Sequence, residues 1–394
     1  MNRIRLVSIT LAGLAAAACQ ITPRVPLPEA PPPSKTETVV RFEASDFSAL
    51  PATSDADWSA ALPALLESCR VLAKKPVWAP VCAQASQVDP VAARAFFERS
   101  FSPYRVYSAT LEGGREVSRS GTGLMTGYYE PLLKGSRSKA APYLYPLHKV
   151  PDDLLVIDLS SLYPELAKLR LRGKLEGRKV VPYASRAEIT TKDSLAGQEL
   201  VWVDDPMKAF FLQVQGSGRV QLPDGSQLRV GYADQNGHPY KAIGRWLVEQ
   251  GELKIEDVSM QSITDWAKRN PQRLDELLNH NPSYVFFRES PVGDPGAGPK
   301  GALGVPLTPE RSVAVDRRFI PLGAPLVVQV RQESTGLALT RPVLAQDTGG
   351  AIRGPLRFDF FWGFGAAAGQ QAGRQKSEVN AWLLVPRGTN PADL

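Results

Sequence analysis

The chain has 394 residues, of which 43% are hydrophobic and 22% charged, a composition typical of a globular protein long enough for two domains. Its 34 prolines and 32 glycines indicate many turns and favour β structure over a helical bundle. The net charge of +6 fits either an anionic partner or a mixed solvated surface. Because the sequence has no run of five like charges and no basic helix with interleaved aromatics, we expect no nucleic-acid partner.

The N-terminus has the parts of a secretory signal: a basic start, an apolar stretch over residues 6–18, and small residues at its end. It ends in Ala16-Ala-Ala-Cys19, which resembles a lipoprotein cleavage signal. We therefore expect residues 1–19 to be a lipoprotein signal peptide with acylation at Cys19, and a plain cut after Ala18 is the alternative. By resemblance to known sorting rules, Gln20 favours the bacterial outer membrane, with the protein facing the periplasm. Residues 20–40 begin proline-rich and predict a flexible tether.

Cysteine and histidine are scarce in the rest of the chain. Cys69 and Cys82 are 13 residues apart, and the sequence leaves open a disulfide or two buried free cysteines. His148, His238 and His280 are scattered without ligand spacing. We therefore predict no metal site, no cofactor and no histidine-dependent triad.

The pattern is mostly helical from residue 42 to about 101, and β signals dominate afterwards with a helical stretch between two β regions. Helices are predicted at 57–66, 90–99, 239–250, 259–269 and 272–278. Strands are predicted at 121–131, 200–203, 208–216, 219–222, 227–232, 283–287, 311–315, 325–330, 341–345 and 379–385. Pro223-Asp-Gly-Ser226 is typical of a hairpin turn. The short, evenly spaced C-terminal strands predict a small β-barrel.

Two segments carry side chains suited to a sugar ligand. Thr126-Gly-Tyr-Tyr-Glu130 offers aromatic faces that stack on sugar rings, or simply a strand with cross-strand aromatics. In Phe210–Gly218, the amides of Gln213 and Gln215 alternate with apolar residues, which predicts a strand with both amides on one face. Such amides suit polyhydroxyl and acetamido ligands, although a solvated face is the equal alternative.

Three aspartates lie near glycine-rich turns. Asp316 ends a predicted strand and alone is typical of a turn. Asp347 precedes Gly349 and Gly350, and Asp359 alternates with Phe358 and Phe360, so its side chain should point away from theirs. The nearby aromatics could form a dry wall that raises the pKa of a carboxylate and makes it an acid near neutral pH; they are Phe358, Phe360, Phe361, Trp362 and Phe364.

Asp347-Thr-Gly-Gly also resembles the loop of an aspartic protease. That chemistry needs two such loops sharing a proton. The chain has one, so proteolysis would require a homodimer, and we do not favour it.

Five segments in this order, behind a lipoprotein signal, resemble the membrane-bound lytic murein transglycosylase A family. They are Thr126-Gly-Tyr-Tyr129, Phe211–Gly218, Val315–Gly323, Gln346–Gly354 and Phe358-Asp359. The resemblance covers residues 40–390, and the C-terminal part is similar to the three-aspartate (3D) domain, whose aspartates match Asp316, Asp347 and Asp359. It implies a mainly β fold with some α: a double-psi β-barrel from 41–130 and 280–394, with its catalytic 3D part at 311–386. A second, β-barrel-like domain would be inserted at 131–279, with a groove between the two.

The resemblance also implies an activity. Asp359 would be the catalytic acid, supported by Asp347, in an exo-acting lytic transglycosylase that forms 1,6-anhydro-N-acetylmuramic acid; the residues themselves leave exo and endo action open. The implied substrate-binding residues are Thr126, Tyr128, Tyr129, Gln213, Gln215, Gly216, Ser217 and Asp316. The expected partners are peptidoglycan glycan strands, the membrane through Cys19, and possible cell-wall synthesis proteins. A non-catalytic peptidoglycan-binding lipoprotein and a hydrolase that uses Asp347 as base are the alternatives.

Overall fold

The computed structural model describes residues 36–164, 166, 169, 171–192, 194–290, 296–332 and 336–394. The predicted signal peptide, Cys19 and the greater part of the predicted tether lie outside the described residues. Residues 36–40, which were included in the predicted tether, pair in a strand.

The first half of the chain has three consecutive helices after the first strand, and most of its remaining elements are strands. Its strands are β1 (Thr36–Ala44), β2 (Phe101–Glu112), β3 (Arg115–Ser120), β4 (Gly123–Glu130), β5 (Leu132–Ser136), β6 (Tyr145–His148), β7 (Leu155–Val156), β8 (Arg172–Glu176), β9 (Lys179–Pro182) and β10 (Glu199–Val203). The later strands are β11 (Ser217–Gln221), β12 (Gln227–Gln235), β13 (Val285–Ser290), β14 (Ser312–Ala314), β15 (Pro325–Gln332), β16 (Leu337–Asp347), β17 (Arg357–Phe364) and β18 (Lys376–Pro386).

The helices lie mainly in three groups along the chain. They are α1 (Asp55–Leu72), α2 (Ala79–Ala85), α3 (Ala93–Ser100), α4 (Arg186–Lys192), α5 (Pro206–Gln215), α6 (Ile243–Glu249), α7 (Met260–Arg269), α8 (Leu274–Asn279) and α9 (Gly365–Arg374). Single 3-10 turns cover Phe47–Ala49, Pro90–Ala92, Ile255–Asp257, Pro271–Arg273 and Pro391–Asp393.

A closed barrel is the centre of the fold. Its six strands follow the order β18, β15, β16, β14, β17 and β4, and β4 pairs again with β18 to close the ring. β2 pairs with β18 and extends the sheet outward to β1 and β3. The prediction of a mainly β chain with a small barrel is confirmed. Closure leaves each barrel strand with a partner on both sides, which fixes the register of the side chains described below.

Helices α1 to α3 cover one side of the barrel core. α1 begins after Ser54, whose hydroxyl caps the helix in a reciprocal pair with Asp57. The helix buries one face, including Trp58, Leu65 and Leu72, in the same cluster as the barrel strands. Cys69 of α1 forms a disulfide with Cys82 of α2, which decides between the two states that the sequence left open.

A second body lies between β4 and the end of β13. A six-stranded sheet in the order β13, β12, β11, β5, β10 and β6 packs around one apolar cluster, and helices α5 to α8 contribute a second. β7, β8 and β9 form a separate three-stranded sheet. The predicted hairpin at 223–226 is confirmed, since it joins β11 to β12.

The prediction was wrong at two places in this body. Residues 208–216 were predicted as a strand, but 208–215 belong to α5. The helix begins with Pro206 after the N-cap Asp205 and ends at Gln215, where the left-handed Gly216 caps it. The helix predicted at 239–250 is shorter, since α6 begins only at Ile243. Pro239, which suggested the longer helix, lies in the loop before α6.

Candidate active site

The two aspartates of the C-terminal half lie on neighbouring strands of the barrel. Ala314 of β14 is the register partner of Asp347 on β16 and of Asp359 on β17. Because adjacent strands lie ~4.8 Å apart, the two aspartate Cα atoms are separated by roughly 10 Å. The residue between them, Ala314, is 3% exposed and packs in one apolar cluster with Tyr128 and Phe361. Both carboxylates are half-buried.

Asp359 is held by a hydroxyl from the next strand. Thr126 of β4 is its register partner, and the Thr126 hydroxyl donates to Asp359 Oδ1 at 2.6 Å. Burial raises the pKa of Asp359 to about 6, and the charge of Asp347 adds to the rise, while Thr126 and Arg357 oppose it. A carboxyl with this pKa is partly protonated near neutral pH and can serve as an acid.

Asp347 accepts a hydrogen bond on each oxygen. The hydroxyl of Tyr128 donates to Oδ2 and the backbone N–H of Ala302 donates to Oδ1, both at 2.9 Å. Burial raises the pKa of Asp347, although hydrogen bonds from the Thr348 and Ala302 backbone and from Tyr128 partly offset it. Burial, followed by the charges of both aspartates, raises the pKa of Tyr128 well above its ordinary value, so its hydroxyl stays a donor.

The aromatic wall beside Asp359 differs from the prediction. As expected from strand alternation, Phe358 and Phe360 point into the main core, away from Asp359. Trp362 packs edge-on against Phe360 on that same side. Only Phe361 shares the side of Asp359, where its ring lies 5.2 Å from that of Tyr128, and Phe364 packs behind it. Two of the five predicted aromatics therefore lie in the cluster next to the carboxylates.

Asp316 is placed as a support for the glycine-rich loop between the other two aspartates. The residue is only 3% exposed, and its carboxylate accepts from the Arg318 guanidinium and from the Gly354 backbone N–H. Burial alone would raise the pKa of Asp316, but these donors outweigh it and hold the pKa at about 2. Its oxygens are already occupied, so the position does not fit the predicted direct contact with substrate.

Gln213 and Gln215 were predicted to lie on one face of a strand, but they belong to helix α5 and have different surroundings. Gln213 is buried and its oxygen accepts from the Arg186 guanidinium and from the backbone N–H of Val285, which makes it part of the packing. Gln215 lies at the end of α5, and its oxygen accepts from the backbone N–H of Tyr129 at 3.2 Å. The two amides therefore do not form one ligand-binding face.

Gly216 and Ser217 follow directly and are half-buried, with Gly216 in the left-handed region at φ +80°. Tyr129 packs against Gly369 of α9, where a Cβ would come within 2.9 Å of the tyrosine ring. Tyr129 and Gln215 thus link β4 of the barrel to the second body, beside Thr126.

Two sequence profiles match consecutive parts of the chain: the "MltA specific insert domain" over residues 124–288 and the "3D domain" over 311–385. The crystal structure of MltA from Neisseria gonorrhoeae is similar to the chain with a TM-score of 0.75 and 38% identity, over 91% of this chain and 96% of that one. The chain belongs to the membrane-bound lytic murein transglycosylase A family. The resemblance inferred from the five segments is confirmed.

A sequence and a crystal structure of Escherichia coli lytic murein transglycosylase A are also similar to the chain. The sequence from strain K12 is 35% identical over 266 residues, and the match spans 66% of this chain but 64% of that protein. The crystal structure of E. coli MltA with bound chitohexaose is 27% identical with a TM-score of 0.65, over 88% of this chain and 94% of that one.

Sequence reasoning missed three residues of the site in this lytic murein transglycosylase A family member. Arg357 donates to the Thr126 hydroxyl, Ala302 donates to Asp347, and Ala314 separates the two aspartates. A signal existed only for Arg357, which lies two residues before Asp359 and so on the same face of the strand. Ala302 lies in a loop whose approach to Asp347 no local pattern indicates.

In the described parts of the chain no group of three or more histidine, cysteine, aspartate or glutamate side chains is arranged to hold a metal ion. Within the same residues, no helix combines the length and the apolar character needed to cross a membrane.

Proposed function

We propose that this chain is a peptidoglycan lytic transglycosylase that cleaves the β-1,4 bond between N-acetylmuramic acid and N-acetylglucosamine. The observation that carries the proposal is Asp359, a half-buried carboxyl with a pKa of about 6, positioned by Thr126. Family membership supports the reaction class, and the bound chitohexaose of the E. coli relative supports a β-1,4-linked glycan as ligand. The glycan would lie between the barrel and the second body, beside Tyr129 and Gln215.

The proposed reaction uses Asp359 twice. Its protonated carboxyl donates the proton to the glycosidic oxygen as the bond to the muramoyl C1 breaks, through an oxocarbenium-like transition state. The resulting Asp359 carboxylate then takes the proton of the muramoyl C6 hydroxyl, whose oxygen bonds to C1 and closes the 1,6-anhydro ring. Asp359 ends protonated, and no water is consumed. The tethered C6 hydroxyl has a large effective molarity and can outcompete water.

Asp347 supports this site through charge. Its ionised form, held by Tyr128 and Ala302, stabilises the developing positive charge at C1 and helps keep Asp359 protonated before the reaction. A hydrolase would instead need Asp347 to activate a water as base. Both oxygens of Asp347 already accept hydrogen bonds, which favours the supporting role.

The nature of the product tests the proposal. We expect the protein without residues 1–19 to release muropeptides from purified peptidoglycan that are about 18 Da lighter than hydrolysis products and lack a reducing end. Mass spectrometry of the digest, before and after borohydride reduction, distinguishes the two products. Reducing ends would mean a hydrolase, and an intact sacculus that retains the protein would mean a binding lipoprotein.

The pH dependence should follow the acid form of Asp359. Since its pKa is raised to about 6, the protonated acid is present below that pH and is lost above it. We expect kcat/KM to fall roughly tenfold per pH unit on the alkaline side, with the limb near pH 6. Initial rates on soluble glycan strands from pH 4.5 to 8.5 measure this. A profile that stays flat from pH 5 to 8 would contradict the assignment.

The proposed location is the periplasmic face of the bacterial outer membrane, through acylation of Cys19. The lipobox-like segment supports it, and the relative from E. coli is named membrane-bound. Peptidoglycan is the proposed principal partner, with cell-wall synthesis proteins as further candidates. Metabolic labelling with a clickable fatty acid tests the anchor, because C19A should lose both the label and membrane association.

A further inference from the structure

A hydrogen-bonded chain of three side chains ends at Asp359. Arg357 Nη2 donates to Thr126 Oγ1 at 3.0 Å, and Thr126 Oγ1 donates to Asp359 Oδ1 at 2.6 Å. The guanidinium is itself anchored, since its Nη1 donates to the backbone carbonyl of Phe358. Arg357 is half-buried and does not contact the carboxylate directly in these hydrogen bonds. Its influence on Asp359 therefore passes partly through the threonine hydroxyl.

The direction of each proton in this chain is determined by chemistry. A guanidinium has only donors, so Thr126 must accept from Arg357. A hydroxyl has a single proton, which is then left to donate to Asp359 Oδ1. When Asp359 is protonated, Oδ1 is occupied as an acceptor from Thr126. The acidic proton is therefore held on Oδ2, the other oxygen.

We propose that Arg357 is a positioning residue that acts through Thr126 to keep the transferable proton of Asp359 on Oδ2. This rests on the proposed function, in which Asp359 gives that proton to the glycosidic oxygen and later takes one from the C6 hydroxyl. Without the chain, the proton would distribute over both oxygens. One of these faces Thr126 and so cannot also reach the substrate.

Arg357 also acts on the second half of the reaction. Its positive charge, and the polarised Thr126 hydroxyl, favour the carboxylate form that must accept the C6 hydroxyl proton. Among the described residues, the other charged and titratable groups that interact with Asp359 are Asp347 of β16 and Tyr128 of β4. On the far side of Thr126, Lys376 of β18 is its register partner. Among these groups, Arg357 is the one joined to Asp359 through a shared hydroxyl.

Four variants test the positioning role: R357M, T126V, T126S and the double variant R357M/T126V. Loss of a hydrogen bond to a charged group corresponds to a roughly 10- to 100-fold change in rate. We expect R357M and T126V each to lower kcat by about that factor, with KM within about twofold of the wild type. T126S should recover most of the loss. The matched control is R331M, which removes an exposed arginine from strand β15 of the same barrel.

Two readouts separate positioning from a general structural defect. The alkaline limb of the pH profile should move upward by about one unit in R357M and T126V, because each removes a group that favours the carboxylate. The double variant should be no slower than the slower single variant, because both changes break one chain. Unchanged limbs, rate losses that multiply, or R357M within twofold of R331M would overturn the proposal.

A direct titration keeps the test independent of the reaction. Carboxyl ¹³C NMR of protein labelled at aspartate, with Asp359 assigned by its absence in D359N, reports the pKa of Asp359 without substrate. A rise in R357M supports the chain even if the wild type releases no anhydro product, which would refute only the proposed function. An Asp359 pKa equal in wild type and R357M refutes the chain itself.

Discussion

Replacing Asp359 with asparagine is expected to lower kcat/KM on peptidoglycan by on the order of 10³-fold or more, because general acid and base assistance together supply at least this much. The asparagine keeps the shape of the side chain and can still accept from the Thr126 hydroxyl. Binding to the sacculus should therefore persist. The measurement is the release of anhydro-muropeptides by D359N, with pull-down of the variant on insoluble peptidoglycan.

The matched control for D359N is D152N, which changes an exposed aspartate in the second body. It should retain the wild-type rate. Residual turnover of D359N above about a tenth of the wild type would place the acid elsewhere. Loss of both turnover and sacculus binding would leave the chemical role of Asp359 unsupported.

D359N is expected to lower the activity but to raise the stability of the folded protein. The pKa of Asp359 rises from 3.8 to about 6 on folding, so the folded state holds a proton that the unfolded chain releases more readily. The cost of ionising it in the folded state develops as the pH rises from about 4 to 6 and persists above. D359N removes this cost. At pH 8 its free energy of unfolding should therefore exceed that of the wild type by at most about 3 kcal/mol. Near pH 4 the difference should vanish.

The aspartates themselves were predictable because their signals are local. Asp359 alternates with phenylalanines, which predicted that its side chain points away from theirs, and Asp347 follows the strand predicted at 341–345. The strand over Arg357–Phe364 was not among the predicted strands, and the strand before Asp347 extends to that residue. That Asp347 and Asp359 lie on either side of the same residue could not be predicted. Ala314 lies between them by register, and register in a closed barrel depends on pairings between strands far apart in the chain. Thr126 and Arg357 are 231 residues apart.

The failure at α5 has a different cause. Leu212 to Gln215 alternates between apolar and polar residues, which is also compatible with one turn of an amphipathic helix. Met207 and Phe210, three residues apart, are both buried on the helix and give the correct period. Asp205 and Pro206 mark its start and Gly216 its end, so the capping residues held the decisive signal. Where a short polar–apolar alternation predicts a strand but the capping residues predict a helix, the capping residues should decide the prediction.

β4 connects the chemistry to the second body. Thr126 and Tyr128 contact the two aspartates, Tyr129 contacts Gln215, and Glu130 ends the strand in a buried ion cluster. A glycan held between the two bodies would meet the acid only if this strand holds them in a fixed relation. Glu130, in the ion cluster at the end of β4, should therefore affect both the stability of the protein and the geometry of the site.

Replacing Glu130 with glutamine is expected to lower the free energy of unfolding by about 3–5 kcal/mol, the range found when one partner of a buried ion pair is removed. Glu130 is 1% exposed and accepts from Arg219 Nε at 2.9 Å and from Arg229 Nε at 2.7 Å. Both guanidinium groups also donate to the carbonyl of Ala297. Glutamine keeps the volume but leaves two buried positive charges without their carboxylate.

Urea unfolding followed by tryptophan fluorescence measures the loss in E130Q. The matched control is E289Q, which removes the partner of Arg137 from a pair whose side chains are 37% and 52% exposed. An exposed pair contributes at most about 1 kcal/mol, so E289Q should stay close to the wild type. If E130Q is no less stable than E289Q, the ion cluster does not join the barrel to the second body. The orientation of β4 at the active site would then depend on the contacts of Tyr129 instead.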